Sequence, residues 1–118
     1  MRMTDCLFCS IVAGDVPSTT VLDAGRVYAF RDVAPAAPVH VLIVPKEHVA
    51  GIDEVTEAHG AMLAELVTTA QGIAATEGID RSGYRLVFNV GPDSGQAVFH
   101  LHLHLLGGAP LGRIAATG

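Results

Sequence analysis

Three of the six histidines, His100, His102 and His104, stand at every second position near the end of the chain. Side chains alternate between the two faces of a strand, so this spacing predicts three imidazoles on one face. Neighbouring rings would then stand about 6.6 Å apart, and the intervening leucines would point into a core. We expect His102 to lie on the solvent-facing side of this strand, where an imidazole can attack, carry protons or bind a metal near neutral pH.

Three interpretations of this histidine column are open. It is a surface strand that alternates His and Leu, a metal site with a His-x-His pair, or a nucleophilic site that acts on phosphorus. The preceding segment favours phosphorus, because Asn89, Gly91, Gly95 and Gln96 lead directly into the strand. Glycines let backbone N–H groups approach an anion closely, and the amide side chains can add further donors.

The two cysteines, Cys6 and Cys9, form a CxxC pair near the start of the chain. A redox motif is disfavoured because no strand precedes the pair, and a disulfide is disfavoured in a reducing compartment. Half of a tetrahedral zinc site is possible if histidines supply two more ligands. The simpler alternative is a pair of small apolar residues on a helix that buries Phe8 and Ile11.

Length and composition limit the class of protein. The chain has 118 residues, 50% of them hydrophobic, 16% charged, and a net charge of -5. We expect one domain over residues 1–118, with a short, loosely ordered tail at about 109–118. The acidic balance disfavours a nucleic-acid polymer as partner. The sequence shows neither a signal peptide nor an apolar run long enough to span a bilayer, so we expect a cytoplasmic protein without membrane contacts.

The pattern of apolar residues, glycines and prolines predicts an α+β domain with a short N-terminal helix, five strands and one long helix. The predicted elements are a helix over 4–13, strands over 19–22, 26–31 and 39–44, a helix over about 56–77, and strands over 84–90 and 98–106.

Four blocks of the sequence resemble the histidine-triad superfamily. The block Gln96–Leu106 matches its His-φ-His-φ-His-φ-φ signature, in which φ is apolar. Cys6–Gly14 resembles the opening of the family, and Phe30–Pro35 and Pro38–His48 resemble its middle. The resemblance covers nearly the whole chain and is greatest to the histidine-triad nucleotide-binding proteins, the purine nucleoside phosphoramidase-like branch.

The resemblance implies a homodimer in which two five-stranded antiparallel sheets join into one ten-stranded sheet. It implies a purine nucleotide-binding hydrolase or transferase that cleaves nucleoside 5′-phosphoramidates, or related AMP derivatives, at the α-phosphorus. His102 would attack and form a nucleotidyl-histidine intermediate, His104 would contact the phosphate and assist the leaving group, and water would release the nucleoside monophosphate. The alternative is a nucleotide-binding or scaffold protein in which hydrolysis is incidental.

The resemblance also assigns binding residues. The base pocket would be lined by Phe8, Ile11 and Phe30, and the ribose would be held by Asp32 with Val33 beside it. The phosphate would be held by Asn89, Gly95, Gln96, Ala97 and Val98, together with His102 and His104. One structural zinc per chain would be held by Cys6, Cys9, His48 and His100.

Two departures from the family bear on substrate choice. Ala97 stands where some relatives have a serine that can contact the phosphate or leaving group, so only a backbone donor remains there. The segment after Pro110 lacks the tryptophan seen near the C-terminus of many relatives. Of the properties that the resemblance implies, the family's choice of leaving group is therefore the one that applies least directly to this chain. For His40 the resemblance suggests no role, and we expect a hydrogen-bonded structural histidine.

Overall fold

The computed structural model describes residues 6–114, and within that range it has two α-helices and one five-stranded antiparallel sheet. The helices and strands are α1 (Leu7–Ala13), β1 (Thr20–Ala24), β2 (Val27–Arg31), β3 (Val39–Pro45), α2 (Gly60–Thr76), β4 (Tyr84–Val87) and β5 (Leu103–Gly107). Short 3-10 turns span Ile52–Glu54, Glu57–His59 and Pro92–Ser94. The predicted α+β class is confirmed.

The strands lie in the order β1-β2-β3-β5-β4, and every neighbouring pair is antiparallel. Strand β5, which carries His104, therefore lies inside the sheet, between the central strand β3 and the edge strand β4. His104 lies opposite Leu42 of β3 on one side and Val87 of β4 on the other. This register places the end of the histidine column on an interior strand, with a paired strand on each side.

The sheet buries apolar side chains on both of its faces, which explains why β2 and β3 are almost continuously hydrophobic. One face packs against α2, and its buried residues include Val27, Ala29, Val41, Ile43, Leu66, Leu101, Leu103 and Leu105. The other face packs against α1, through Cys6, Phe8, Ile11, Tyr28, Phe30, Leu42 and Val44. The predicted alternation of the histidine column is confirmed, since the three leucines lie in the first core.

The predicted strand over 98–106 is too long, because the ladder begins only at Leu103. Ile43 pairs with Leu103, so the next positions would place Leu101 opposite Pro45, which has no N–H to donate. The Pro45 carbonyl instead lies 2.8 Å from Nε2 of the His100 ring, and the Leu101 N–H donates to Val49. His100 and His102 thus precede β5 and are held by individual hydrogen bonds.

Other boundaries shift for local reasons. Strand β4 ends at Val87 rather than at residue 90; residues 89 and 90 would fall opposite His102 and Leu101, which precede β5. Strand β1 runs on to Ala24, which pairs with Val27 across a tighter turn than predicted. Helix α2 begins at Gly60 rather than at residue 56, because Thr56 caps a separate 3-10 turn. Residues 4 and 5 of the predicted first helix lie outside the described residues.

Over residues 6–114, no helix combines the length and the apolar character needed to cross a bilayer. Part of the predicted tail can be described: residues 109–114 lie outside helices and strands, and Arg85 donates to the carbonyl of Gly112. The extent of the domain and the loose order of the tail stay predictions.

Candidate active site and metal centre

A cleft of about 450 Å³ opens on the α1 side of the sheet. Its walls come from α1, from the ends of β2 and β3, and from the loop that follows β4. All twelve residues assigned to nucleotide binding from the sequence line this one cleft: Phe8, Ile11, Phe30, Asp32, Val33, Asn89, Gly95, Gln96, Ala97, Val98, His102 and His104. Residues from four distant parts of the chain thus come together in a single concave site.

One end of the cleft is apolar, and several of its residues were missed from the sequence. Leu7, Val16, Pro17 and Leu42 also line it. Leu42 shares a strand face with His40, but because the sequence assigned no site role to His40, this alternation did not indicate that the face lines the cleft. Val16 and Pro17 belong to the turn after α1, where no pattern in the sequence indicates which way side chains point.

His102 is held in one tautomer. Its Nδ1 lies 2.7 Å from the backbone oxygen of His100, so Nδ1 carries the proton and donates to that carbonyl. The other nitrogen, Nε2, then keeps its lone pair, as a nucleophile requires. The expectation of a solvent-facing His102 is wrong: the residue is only 9% exposed, because the Phe8 ring packs edge-on against it with centroids 5.1 Å apart.

His104 is held in the opposite tautomer through His40, whose part in the site was missed from the sequence. The N–H of Ala36 donates to Nδ1 of His40 at 3.0 Å, so the proton of His40 is on Nε2. That Nε2 donates to Nδ1 of His104 at 2.9 Å, which leaves the proton of His104 on its own Nε2. This Nε2 is buried and has no hydrogen-bond partner among the described residues.

His104 is a neutral donor at physiological pH. Burial lowers its pKa to about 4, and the neighbouring His102 and His40 push the pKa in the same direction. The centroids of the His102 and His104 rings are 4.9 Å apart. The cleft therefore presents an imidazole nitrogen with a free lone pair, suited to attack, next to an imidazole N–H that can donate a hydrogen bond to an anion.

Asp32 lies at the end of β2, beside the His40–His104 pair. One carboxylate oxygen accepts the N–H of Ala34 at 2.8 Å, and the other is 3.4 Å from Nε2 of His40. These three side chains could suggest a second metal site. The donor set argues against it, because Nδ1 of His40 accepts from Ala36, and Nε2 is therefore protonated and cannot ligate a cation.

The loop between β4 and the histidines is shaped by two glycines. Gly91 and Gly95 have φ values of 78° and 87°, a left-handed region that residues with a Cβ rarely adopt. The Gln96 amide holds the loop together. Its oxygen accepts the N–H of Gly91 at 2.8 Å, and its nitrogen donates to the carbonyls of Ala50 and Val98 at 3.3 Å each. Gln96 lines the cleft, but its amide is already engaged within the protein.

Arg31 is among the residues that line the cleft, but its guanidinium is paired with Glu77 at the end of α2, the helix that packs on the other face of the sheet. An ion-paired side chain is less available to a phosphate than a free one. Among the described residues, the cleft thus offers an anion chiefly the dipoles of its imidazoles rather than a free positive charge.

The four residues assigned to zinc converge behind the cleft. Ligand atoms of Cys6, Cys9, His48 and His100 all lie within 4.8 Å of one another. Nδ1 of His100 is 3.3 Å from Sγ of Cys6, 3.5 Å from Sγ of Cys9 and 3.2 Å from Nδ1 of His48. A tetrahedron with ordinary zinc–sulfur and zinc–nitrogen bonds has edges of about 3.3–3.8 Å, so these spacings fit a zinc ion.

The protonation states of the ligands also fit. Nε2 of His100 donates to the carbonyl of Pro45 at 2.8 Å, which leaves Nδ1 unprotonated and directed at the cysteines. Burial, together with the hydrogen bond and charge of Cys6, raises the pKa of the Cys9 thiol to about 11. Two adjacent thiolates are unstable there without a cation, so the donor set is suited to a divalent metal.

Known proteins are similar to this chain over most of its length. The purine nucleoside phosphoramidase of Escherichia coli K12 is 41% identical over 112 residues, which cover 95% of this chain and 94% of the relative. A 14 kDa zinc-binding protein of Brassica juncea is 42% identical over 106 residues, 88% of this chain and 93% of the relative. A solved HIT family hydrolase from Clostridium thermocellum has a TM-score of 0.93 and 45% identity, covering 97% of this chain and all of that one (100%).

The HIT domain family model matches residues 13–111, which hold the histidine column, His48 and most of the cleft. The match agrees with the sequence resemblance, and the solved hydrolase has the same fold. The relatives support a hydrolase, and the chain belongs to the HIT domain family.

Proposed function

We propose that this protein is a nucleotidyl hydrolase or transferase that cleaves nucleoside 5′-phosphoramidates, or related AMP derivatives, and releases the nucleoside monophosphate. The observation that carries the proposal is the pair of complementary tautomers. His102 keeps a lone pair on Nε2, and His104 keeps a proton on Nε2, in the same cleft. The relative from Escherichia coli is named a purine nucleoside phosphoramidase, which supports the same reaction class.

The cleft suits a purine nucleotide. The apolar end, with Phe8, Ile11 and Phe30, would hold the base, and Asp32 with Val33 would hold the ribose. The phosphate would lie at the loop end, against Asn89, Gly95 and the backbone of Ala97 and Val98. Gln96 would act on the phosphate through the shape of the loop, because its own amide is engaged with Gly91, Ala50 and Val98.

The reaction would proceed in two displacements. Nε2 of His102 attacks the α-phosphorus and the bond to the leaving amine breaks. The carbonyl of His100 stabilises the positive charge that forms on the His102 ring. His104, protonated to the imidazolium once the phosphate is bound, gives its Nε2 proton to the departing nitrogen and becomes neutral. Water then attacks phosphorus, returns a proton to His104 and releases His102. The bound phosphate favours protonation of His104, as does the Asp32 carboxylate behind His40.

We further propose that Cys6, Cys9, His48 and His100 bind one structural zinc ion. The zinc-binding relative from Brassica juncea supports this assignment, as does the fit of the four donor atoms. Zinc with four protein ligands has no open position for a substrate, so its contribution would be to join α1 to the segments at His48 and His100.

A homodimer joined through strand β4 is also proposed. The strand order leaves β4 at an edge of the sheet, where its backbone can pair with a second copy. Leu86 of β4 and Val90 just after it are 36% and 40% exposed, so apolar side chains accompany that edge. Two such edges in antiparallel contact would give a sheet of ten strands.

Replacing the proposed nucleophile tests the reaction. For His102→Ala we expect turnover of adenosine 5′-phosphoramidate to fall by about 10³-fold or more, because no other group can form the covalent intermediate. AMP release is measured by chromatography, and AMP affinity by calorimetry. His59→Gln, a histidine outside the cleft, serves as the control and should keep wild-type turnover. Wild-type turnover no faster than that of His102→Ala would refute the enzyme, and AMP binding alone would then indicate a binding protein.

Metal analysis tests the zinc site. Protein purified without added metal should contain about one zinc per chain, since the four ligands are preassembled. Cys6→Ser should lose the zinc and lower the free energy of unfolding by about 3 kcal/mol or more, measured in urea. Serine is itself a good N-cap, so the loss would report the metal rather than the helix start. Retention of zinc by Cys6→Ser, with loss of zinc in His102→Ala, would instead place the metal on the histidine column.

The low pKa of His104 predicts a pH-dependent stability. Between pH 6.5 and about 4 the unfolded chain binds a proton at this residue and the folded protein does not, so stability should fall as the pH falls through that window. His104→Gln removes the titrating imidazole. The midpoint of its urea unfolding should therefore decrease less than that of the wild type as the pH falls over the same range. Equal slopes for the two proteins would show that His104 does not have the lowered pKa.

Light scattering tests the dimer. The wild-type protein should have about twice the chain mass of 12.2 kDa. Leu86→Lys places a charge on the exposed side of β4 and should shift the protein to the monomer, whereas Val67→Lys, at an equally exposed position of α2, should not. A monomeric wild-type protein, or a Leu86→Lys variant that stays dimeric, would contradict pairing through β4.

A further inference from the structure

We infer that metal binding and nucleotide binding stabilise each other in this protein, with Phe8 and Gln96 as the positioning residues that connect the two sites. The inference rests on the proposed function. Its basis is that each of the three segments carrying the four metal ligands either contributes a residue to the cleft or is hydrogen-bonded to one that does.

The first connection is Phe8, which lies between the ligands Cys6 and Cys9. Its side chain is 5% exposed and lines the base end of the cleft. The ring packs edge-on against His102 at a centroid distance of 5.1 Å and against Phe30 at 5.3 Å. Sγ of Cys6 also accepts the N–H of Cys9 at 3.3 Å, so one ligand caps the helix that carries Phe8. A metal that holds both sulfurs therefore holds the Phe8 ring against His102.

The second connection runs from His48 to the phosphate loop. Two residues after His48, the carbonyl of Ala50 accepts from Nε2 of Gln96 at 3.3 Å. The other end of the same amide accepts the N–H of Gly91 at 2.8 Å. Packing is close at this point, since a Cβ on Gly51 would approach Nε2 of Gln96 to 3.3 Å. The loop proposed to hold the phosphate is therefore fastened to the segment that carries a metal ligand.

The third connection is His100 itself. Its ring directs Nδ1 at the cysteines, while its backbone carbonyl, 2.7 Å from Nδ1 of His102, sets the tautomer of the nucleophile. The peptide unit that places the metal ligand therefore also places the attacking nitrogen.

Three shared segments imply a coupling between the sites. A metal that orders these segments reduces the conformational freedom that the nucleotide must remove on binding. Linkage requires the effect on equilibrium affinity to be reciprocal, so a nucleotide must tighten metal binding by the same factor; we expect the tighter binding to appear as slower release of the metal. Couplings between sites in proteins are commonly about 5- to 150-fold in affinity.

The test measures zinc release from the zinc-loaded, full-length protein. A chromogenic chelator reports release with and without saturating AMP, and we expect AMP to slow release by about fivefold or more. AMP affinity of the loaded and the chelator-stripped protein, measured by calorimetry, should differ by a similar factor. The release assay does not require the metal-free protein to stay folded, so the coupling is testable even if the stripped protein unfolds.

Two phenylalanines provide matched variants. Phe8→Leu and Phe30→Leu each remove a buried ring from the same wall of the cleft, but only Phe8 lies between metal ligands. At saturating AMP, Phe8→Leu should lose most of the protection of zinc, while Phe30→Leu should keep it. A second pair compares Gln96→Ala, expected to weaken protection, with Asn89→Ala, expected to keep it.

The outcomes separate this inference from the proposed function. If the loaded protein binds AMP and hydrolyses the phosphoramidate, but AMP leaves zinc release unchanged, the coupling is refuted and the function stands. Equal loss of protection in Phe8→Leu and Phe30→Leu refutes the role of Phe8. Absence of AMP binding by the loaded protein overturns the proposed function, and a protein that binds no zinc overturns the metal site and the coupling together.

Discussion

The hydrogen bond from the His100 ring to the carbonyl of Pro45 is the constraint on which the candidate site depends. It forms where the β3–β5 ladder stops, because a proline cannot continue the pairing. It fixes the proton of His100 on Nε2 and so leaves Nδ1 available to a metal. It also anchors the segment between His100 and His102, which carries the nucleophile, to the central strand of the sheet.

Proton placement in the rest of the site follows from neutral hydrogen bonds rather than from charge. The chain Ala36, His40, His104 sets one tautomer, and the carbonyl of His100 sets the other. Burial keeps His104 uncharged, because its pKa lies near 4, well below physiological pH. The two adjacent imidazoles, His102 and His104, can then differ in function although they are chemically identical. In His102, Nδ1 donates a hydrogen bond, whereas in His104, Nδ1 accepts one, so the free Nε2 has a lone pair in the first and a proton in the second.

Features that depend on the alternation of neighbouring residues could be predicted from the sequence. Alternation of His and Leu predicted both faces of the histidine segment, and the family resemblance located the residues that line the cleft. The length of β5 could not be predicted, since it depends on where Pro45 falls opposite it in the ladder. Likewise, the part played by His40 depends on its contact with His104, 64 positions away in the sequence. The part played by Gln96 depends on the fold bringing its amide within reach of the Ala50 carbonyl.

The ion pair of Arg31 with Glu77 has a consequence for how a nucleotide would reach the cleft. The chain carries a net charge of -5, and Arg31, the cationic residue among those that line the cleft, has its guanidinium paired with the Glu77 carboxylate. Long-range attraction would then contribute little to the association of a phosphorylated ligand, and encounter would occur by unassisted diffusion. Affinity would come from short-range dipoles after the ligand has entered, and these are screened only weakly by dissolved ions. Nucleotide capture by this protein would thus be comparatively insensitive to ionic strength.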